Sequence, residues 1–384
     1  MSRRLLALLV VLPLLAARPH PAGLQTTEFA GLIERLSESG GFFNSDNLVS
    51  NETSYLHVLG AFRALGVRGG AFLGVGPEQG FSYIAEIRPE IAFLIDIRRD
   101  NLLLHLLLKA MFSTARNRME YLCLLYGRSP PPDLPLWTEL ELATLLDYLD
   151  RTPVSSALHL HNHVELMAQV SRYGVPLTAE DRETLRRFHD EFASAGLDLR
   201  YSSRNRPPRF AFPTVRRLYL ETDLEGNEAS YLATEDRWRT VRALHRADRI
   251  VPVVGDLAGP KAVKAIGAYL REANLTVSAF YLSNVESYLF RYGTFPSFAE
   301  NVHALPMGSA SVLVRSWFGR GARLPSSPPG HFSTQLVQPV DRFLALTAQP
   351  DSVTYWMLVN DAVDLRTPTP AGSRRPPASR PAIR

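Results

Sequence analysis

The sequence predicts an α/β fold with a mostly parallel sheet that is interrupted by a helical insertion. Short apolar runs alternate with helical patterns in the first 127 residues and again after residue 248. Such alternation is typical of a parallel sheet with crossover helices. The run Ile91–Asp96 is continuously apolar until its final acid, which indicates a strand buried on both faces. The hydrophobic content of 46% and the charged content of 21% are those of a globular protein.

Residues 23–127 are expected to form the first half of this core. A Gly-rich turn follows the first strand-like run, and Gly66 and Pro89 are typical helix-ending residues. The predicted elements are helices at Thr27–Leu36, Tyr55–Leu65, Ser82–Ile87 and Asn101–Tyr126, with strands at Gly70–Val75 and Ile91–Asp96.

Residues 128–248 differ in pattern and are interpreted as a helical insertion, with helical periodicity at 136–150, 156–173 and 178–195. Strand and helix alternate again in residues 249–366, which are expected to complete the sheet. The strand-like runs there are Ile250–Asp256, Val277–Leu282, Ser311–Trp317 and Val353–Val359.

The N-terminal segment has the composition of a signal peptide, and the C-terminal segment has that of a disordered tail. Arg3 and Arg4 precede an apolar run of roughly 20 Å as a helix, which is too short for a hydrocarbon core of about 30 Å. Residues 1–22 therefore read as a signal peptide, and the protein is expected to be periplasmic or secreted. If the start is misassigned, it is cytoplasmic. Residues 367–384 are rich in Pro, Ser and Arg and are expected to be disordered.

Charge and cysteine content exclude several classes of protein. The formal charge is +4, and the tail from Arg366 onward carries five arginines and no acid, so the body is close to neutral. We therefore expect no nucleic-acid partner. We also expect no membrane span in the mature chain.

Cys123 is the single cysteine, which excludes an intramolecular disulfide. His159 and His163 share a helix face but lack an evident third ligand nearby, so no metal is expected.

The predicted strands end in residues suited to ligand binding. In a parallel sheet, ligands bind outside the carboxyl ends of the strands. Glycine allows a ligand to approach the backbone, whereas acids and amides at strand ends bind polar groups or cap helices. The candidates at these ends are Gly74, Gly76, Gly80, Asp96, Asp256, Asn284 and Glu286.

A hexapeptide occurs twice with one difference. Asn51–Leu56 reads Asn-Glu-Thr-Ser-Tyr-Leu, and 227–232 reads Asn-Glu-Ala-Ser-Tyr-Leu. A helix and then an apolar strand are predicted after each copy. Either the two copies present the same polar cluster to one pocket, or the match is chance combined with ordinary helix-start chemistry. On the first interpretation, Asn51, Glu52 and Tyr55 belong to the ligand pocket.

The turn Gly74-x-Gly76-x-x-x-Gly80 and the acid Asp96, twenty residues after Gly76, resemble the S-adenosylmethionine-dependent methyltransferases. The Asn-Glu-x-Ser-Tyr-Leu, Gly-Val-Gly-Pro-Glu and Val-Val-Gly-Asp segments are similar to those of an uncharacterised bacterial family with such a core. The resemblance implies a Rossmann-like fold of the methyltransferase type. It places Gly74 and Gly76 beside the methionine part of the cofactor and Asp96 on its ribose. Phe72-Leu73, where that family has an acid, departs from the pattern.

Two functions are compatible with these features. The first is an exported Rossmann-like protein that binds a small polar or nucleoside-like ligand at the strand ends. The alternative is a methyltransferase, with S-adenosylmethionine as a possible cofactor, which requires a cytoplasmic location. Whether the protein is an enzyme, and its oligomeric state, are left open at this point.

Overall fold

The computed structural model describes residues 26–204, 206, 212–319, 324 and 327–366. The predicted signal peptide, 1–22, and the predicted disordered tail, 367–384, lie outside these residues and stay predictions. Six strands form one sheet. They are β1 (Ala71–Val75), β2 (Ile91–Asp96), β3 (Ile250–Val254), β4 (Val277–Tyr281), β5 (Met307–Trp317) and β6 (Thr334–Pro339).

Helices precede, connect and follow the strands. The α-helices are α1 (Thr26–Leu36), α2 (Leu59–Leu65), α3 (Gly80–Ile87), α4 (Arg99–Thr114), α5 (Arg118–Tyr126), α6 (Leu142–Arg151), α7 (Ser156–Arg172), α8 (Ala179–Ala195), α9 (Val215–Tyr219), α10 (Glu235–Arg246), α11 (Ala262–Glu272), α12 (Val285–Tyr292), α13 (Phe295–His303), α14 (Val340–Leu346) and α15 (Tyr355–Asn360). Short 3₁₀ helices lie at Tyr55–Val58, Leu134–Thr138, Gly196–Asp198 and Pro350–Ser352.

The sheet is mostly parallel, as the sequence predicts. Its strand order is β3-β2-β1-β4-β5-β6. β1 to β5 are parallel to their neighbours, and β6 is antiparallel to β5. The chain leaves β1 towards β2 and β3 on one side and returns to β4 and β5 on the other. Connections that diverge in this way open a crevice at the carboxyl ends of the two central strands.

β1 and β3 are apolar along their whole length, as expected for strands that helices cover on both faces. Every residue of β1 and β3 is buried. Helix α4 packs against β2 and β3, α1 against β3, α3 against β1, and α14 against β5 and β6. Helix α10, the last element before β3, packs against α3 and α4. In the described part of the chain, no helix is long and apolar enough to cross a membrane.

One predicted helix is two helices in the structure. The prediction of a single helix over Asn101–Tyr126 is wrong, because the chain is extended at Ala115 and restarts as α5. Asn117 caps the new helix, and its side chain accepts the backbone N–H of Glu120 at 2.9 Å. Asparagine is a strong helix-capping residue, and here that local hydrogen bond ends the long apolar run as a continuous helix.

One predicted strand is a helix. The run Val353–Val359, expected to complete the sheet, contains α15 instead, and the edge strand is Thr334–Pro339. Thr354 caps α15 by accepting the N–H of Met357 at 3.3 Å. β6 reads Thr-Gln-Leu-Val-Gln-Pro, and Gln335 and Gln338 on it are buried against polar partners. A polar strand of this kind lacks the apolar signal by which the other strands are recognised.

A buried ion pair fastens α12 to the sheet edge. Arg315 on β5 has a fully buried side chain, and its guanidinium donates to both carboxylate oxygens of Glu286. It also donates to Gln338 on β6 at 2.8 Å. Because both charges are out of water, each depends on the other for stabilisation.

Replacing Glu286 by Ala should therefore lower the free energy of unfolding by about 3–5 kcal/mol, since it leaves the guanidinium of Arg315 buried without its carboxylate. Denaturant unfolding measures the change. Asp236→Ala is the control: it removes an ion pair with Arg88 in which both side chains are mostly exposed, and it should change stability little. Equal effects of the two substitutions would contradict the assignment.

Candidate functional site

A cavity of about 420 Å³ lies at the carboxyl ends of β1, β2, β3 and β4. We call it the site cavity. Its wall contains the residues that directly follow each of these strands, together with the loop before the first 3₁₀ helix and the first two turns of α12. The residues after the strands are Gly76, Pro77, Ile97, Arg98, Gly255, Asp256, Leu257, Ser283 and Asn284. The site cavity therefore lies where the strand connections diverge and a ligand-binding crevice is expected.

The structure brings together part of the predicted site. The candidates that line the site cavity are Asn51, Glu52, Gly76, Asp96, Asp256 and Asn284. Those that do not line it are Gly74, Gly80, Tyr55 and Glu286.

The four candidates outside the cavity wall are buried by packing. A side chain at Gly74 would place its Cβ 2.7 Å from the ring of Phe72, so glycine is needed there for the strand to pack. Gly80 is buried as the first residue of α3. The hydroxyl of Tyr55 donates to the carbonyl of Leu218 at 2.8 Å, and Glu286 is paired with Arg315.

The turn after β1 requires glycine at its first position. Gly76 has φ of +81°, in the left-handed region that other residues avoid. Its carbonyl oxygen lies 2.9 Å from Nε2 of His105, which is buried on α4. Burial lowers the pKa of His105 to about 4, so the ring is neutral at pH 7 and holds the turn by one hydrogen bond.

Glu52 is a buried carboxylate at the edge of the site cavity. It accepts four hydrogen bonds from uncharged donors: from Gln79 at 2.9 Å, Tyr281 at 2.6 Å, Gln335 at 2.7 Å, and from the hydroxyl of Ser283. These donors come from the turn before α3, from β4 and the residues after it, and from β6. These hydrogen bonds therefore join the segment that contains Glu52 to three other segments of the chain.

Ser283 and Asn47 adopt an unusual backbone conformation in the cavity wall. Both have φ of +51°, in the left-handed region. Such a conformation costs about 1 kcal/mol or more outside glycine and persists only where the surroundings enforce it. At Ser283 the hydrogen bond to Glu52 is one such constraint.

The carboxylate of Asp96 is held by its own neighbour. Arg98 donates through Nε to Oδ1 at 2.9 Å and through a terminal nitrogen to Oδ2 at 2.6 Å. The backbone N–H of Arg98 also donates to Oδ1. Oδ2 accepts one of these hydrogen bonds and therefore keeps a lone pair for a further donor.

Asp256 follows β3 and Asn284 follows β4, so β2 and β1 lie between the two strands that carry these residues. Oδ1 of Asp256 accepts the N–H of Ala258 at 2.9 Å, a hydrogen bond within the turn after β3 and not a cap on α11, which begins at Ala262. The side chain of Glu38 accepts the backbone N–H groups of Asp256 and of Lys261, the residue before α11. Asn284 precedes α12.

Sequence reasoning missed the aromatic part of the wall. Six rings line the site cavity: Phe42, Phe43, Tyr201, Tyr281, Tyr288 and Tyr292. Phe42 and Tyr292 are about 70% exposed, and Phe43 and Tyr288 meet edge to face at 5.8 Å. The spacing of Tyr288 and Tyr292, which puts both on one helix face, was an available signal. Nothing local places Phe42 and Phe43 near them.

A second, much smaller cavity lies beside Glu78. Glu78 is buried there and accepts the hydroxyls of Tyr219 at 2.9 Å and Tyr231 at 2.6 Å. Tyr55 and Tyr231, the tyrosines of the repeated hexapeptide, both line this cavity, whereas Glu52 is buried and Glu228 is exposed. The two copies thus place their tyrosines together and their glutamates apart.

The sequence of the chain also matches a known protein family. Residues 48–129 and 181–367, more than half of the chain, match a family model described as a domain of unknown function (DUF7790). The chain belongs to this family. Among curated proteins, none matches the chain. The match agrees with the predicted resemblance to an uncharacterised family, and it carries no methyltransferase assignment.

The unmatched interval has a consistent position in the structure. Residues 130–180 contain α6 and α7, and none of them lines the site cavity. The matched segments contain β1 to β6 and most of the cavity wall, whereas Phe42, Phe43 and Asn47 precede them. The family model therefore covers the sheet and most of the site.

Glu78 should make stability depend on pH. Burial raises its pKa from 4.5 to about 7, so the unfolded chain ionises this group before the folded chain does. The stability contributed by the neutral carboxyl is complete below about pH 4.5 and is lost as the pH rises through 7, a loss of about 3 kcal/mol. Glu78→Gln removes this term.

Denaturant unfolding of the wild type and Glu78→Gln from pH 4.5 to 8 measures it. The stability of the wild type relative to the variant should fall across this interval. Glu272→Gln, at an exposed position on α11, is the matched control and should run parallel to the wild type. A difference between wild type and Glu78→Gln that is constant with pH would refute the assignment.

Proposed function

We propose that this protein binds a small polar or nucleoside-like molecule in the site cavity. The observation that carries the proposal is the cavity itself, about 420 Å³ at the carboxyl ends of four parallel strands. Small-molecule sites typically occupy roughly 300–1,000 Å³ and combine apolar walls with a few placed polar groups. Aromatic rings and the polar residues Glu52, Asp96, Asp256 and Asn284 supply that combination.

The nucleoside part of the proposal is supported by topology. The strand order β3-β2-β1-β4-β5-β6 is that of doubly wound dinucleotide-binding sheets, apart from the reversed direction of β6. We therefore propose that the core is Rossmann-like and of the methyltransferase type. The Gly76 turn and the Asp96 carboxylate, which the resemblance associates with such cofactors, lie in the same cavity wall.

Each part of the wall has a role in this proposal. The rings of Phe43 and Tyr288 offer apolar surface to a base or a similar planar group. Oδ2 of Asp96 accepts a ribose hydroxyl through its remaining lone pair. Asn284 and Asp256 hydrogen-bond the polar end of the ligand.

The alternative is an S-adenosylmethionine-dependent methyltransferase. It is favoured by the joint presence of Gly76 and Asp96 at the cavity. In that case the protein works in the cytoplasm, and Asp256 is the candidate base beside the cofactor. Gly74, which the resemblance places beside the methionine part, faces Phe72 instead, so the backbone of Gly76 would carry that role.

Calorimetric titration of the full chain with S-adenosylmethionine, S-adenosylhomocysteine and adenosine tests both functions. Binding of adenosine with a dissociation constant near 1 μM, about −8 kcal/mol, would support the nucleoside proposal. Val285→Trp, which places a large ring in the cavity wall, should abolish binding. Leu160→Trp, at an exposed position of α7 away from the cavity, should leave it intact.

The ribose assignment has its own variant. Asp96→Asn keeps an acceptor for Arg98 but weakens the interaction with ribose, and it should reduce affinity at least tenfold. Unchanged affinity in this variant would sink the ribose assignment while leaving the cavity as the site. Equal binding by the wild type and Val285→Trp would refute the site cavity as the binding site. The absence of binding to all three probes would refute the nucleoside part of the proposal.

We also propose that the protein is exported and acts in the periplasm or outside the cell. Mass spectrometry of the protein from its native host should show a chain that lacks about 22 N-terminal residues. A chain that retains them and fractionates with the cytoplasm would overturn export and favour the methyltransferase alternative.

A further inference from the structure

Three residues that are distant in sequence form a compact group of metal-binding side chains. His57, Glu221 and His331 each offer one ligand atom, and these atoms lie within 4.8 Å of one another. We call them the His57–Glu221–His331 cluster. A zinc ion bound at about 2.0–2.1 Å holds tetrahedral ligands about 3.3 Å apart, so modest side-chain movement would close the group around an ion.

His57 is nearly completely buried, and Nδ1 of its ring has no hydrogen-bond partner. A buried polar atom without a partner costs about 1–3 kcal/mol, so its presence calls for an explanation. The ring packs against that of His331, with 4.6 Å between the centroids.

His331 is oriented in the way that metal-binding histidines usually are. Its Nδ1 lies 3.1 Å from the hydroxyl of Thr53, while Nε2 lies 3.9 Å from Oε1 of Glu221. A hydrogen bond on one ring nitrogen fixes the ring and leaves the other nitrogen for the metal. The second oxygen of Glu221 faces Arg217 at 4.0 Å.

The three segments that carry the cluster are tied together independently of any ion. The hydroxyls of Ser54 and Ser333 lie 2.9 Å apart, the guanidinium of Arg217 donates to the carbonyl of Gly330 at 3.0 Å, and Tyr55 donates to Leu218. The cluster is therefore held in a fixed position. Glu221 and His331 keep about 13–14% of their side-chain surface exposed, which gives an ion access from solvent.

We propose that His57, Glu221 and His331 bind one zinc ion. Two imidazoles and one carboxylate suit zinc, whereas magnesium and calcium prefer sites made only of oxygen ligands. Three protein ligands leave a fourth position for water or another ligand, as in open zinc sites. The ion joins the 3₁₀ helix at Tyr55–Val58 to the segment after α9 and to the segment before β6. The sequence predicted no metal because these residues are far apart along the chain.

The test uses the full chain without a histidine tag. The protein is stripped of metal with a chelator, incubated with zinc chloride and dialysed, and its zinc content is measured by mass spectrometry. The wild type should retain one zinc per chain, and His57→Gln and His331→Gln should retain at least fivefold less. Zinc should also raise the melting temperature of the wild type and have little effect on that of Glu221→Gln.

His163→Gln is the control, because His163 belongs to a separate histidine group in which its Nδ1 lies 3.3 Å from that of His189. This variant should retain one zinc per chain. Circular dichroism of the metal-free variants checks folding, and His331→Gln and Glu221→Gln carry the test if His57→Gln does not fold. The proposal is overturned if the wild type retains no zinc, or if zinc is lost in His163→Gln and kept in His331→Gln.

Discussion

The carboxylate of Glu52 is the interaction on which the site depends. Its four hydrogen-bond donors come from the turn after β1, from β4 and the residues that follow it, and from β6. Out of water, this carboxyl group keeps all four hydrogen bonds only when these segments are assembled. Its position therefore sets the β1 turn, the left-handed conformation of Ser283 and the shape of the site cavity.

The segment that contains Glu52 contributes to two places at once. Glu52 lines the site cavity, whereas the hydroxyl of Thr53 contacts His331 and that of Ser54 contacts Ser333. A ligand in the cavity and an ion at the His57–Glu221–His331 cluster would thus act on neighbouring residues of one short segment. The segment before β6 connects the two through Gln335, which donates to Glu52.

Much of the fold could be predicted because β1 to β4 are apolar runs between turn residues, and parallel strand ends share one edge of a sheet. That rule placed Gly76, Asp96, Asp256 and Asn284 together. It failed for Glu286, which lies two residues further along, because α12 turns that side chain towards Arg315. The search for apolar runs also missed β6, because its buried residues Gln335 and Gln338 are polar.

The sequence by itself determined the alternation of strands and helices, the Gly-rich turn after β1 and the acids at the strand ends. These depend on residues a few positions apart, and their physical causes are local: hydrophobic periodicity, backbone conformation and capping. Only the tertiary structure decided which side chains meet. The aromatic wall and the cluster of His57, Glu221 and His331 both arise from packing. Such contacts depend on how whole elements are placed, which no short stretch of sequence encodes.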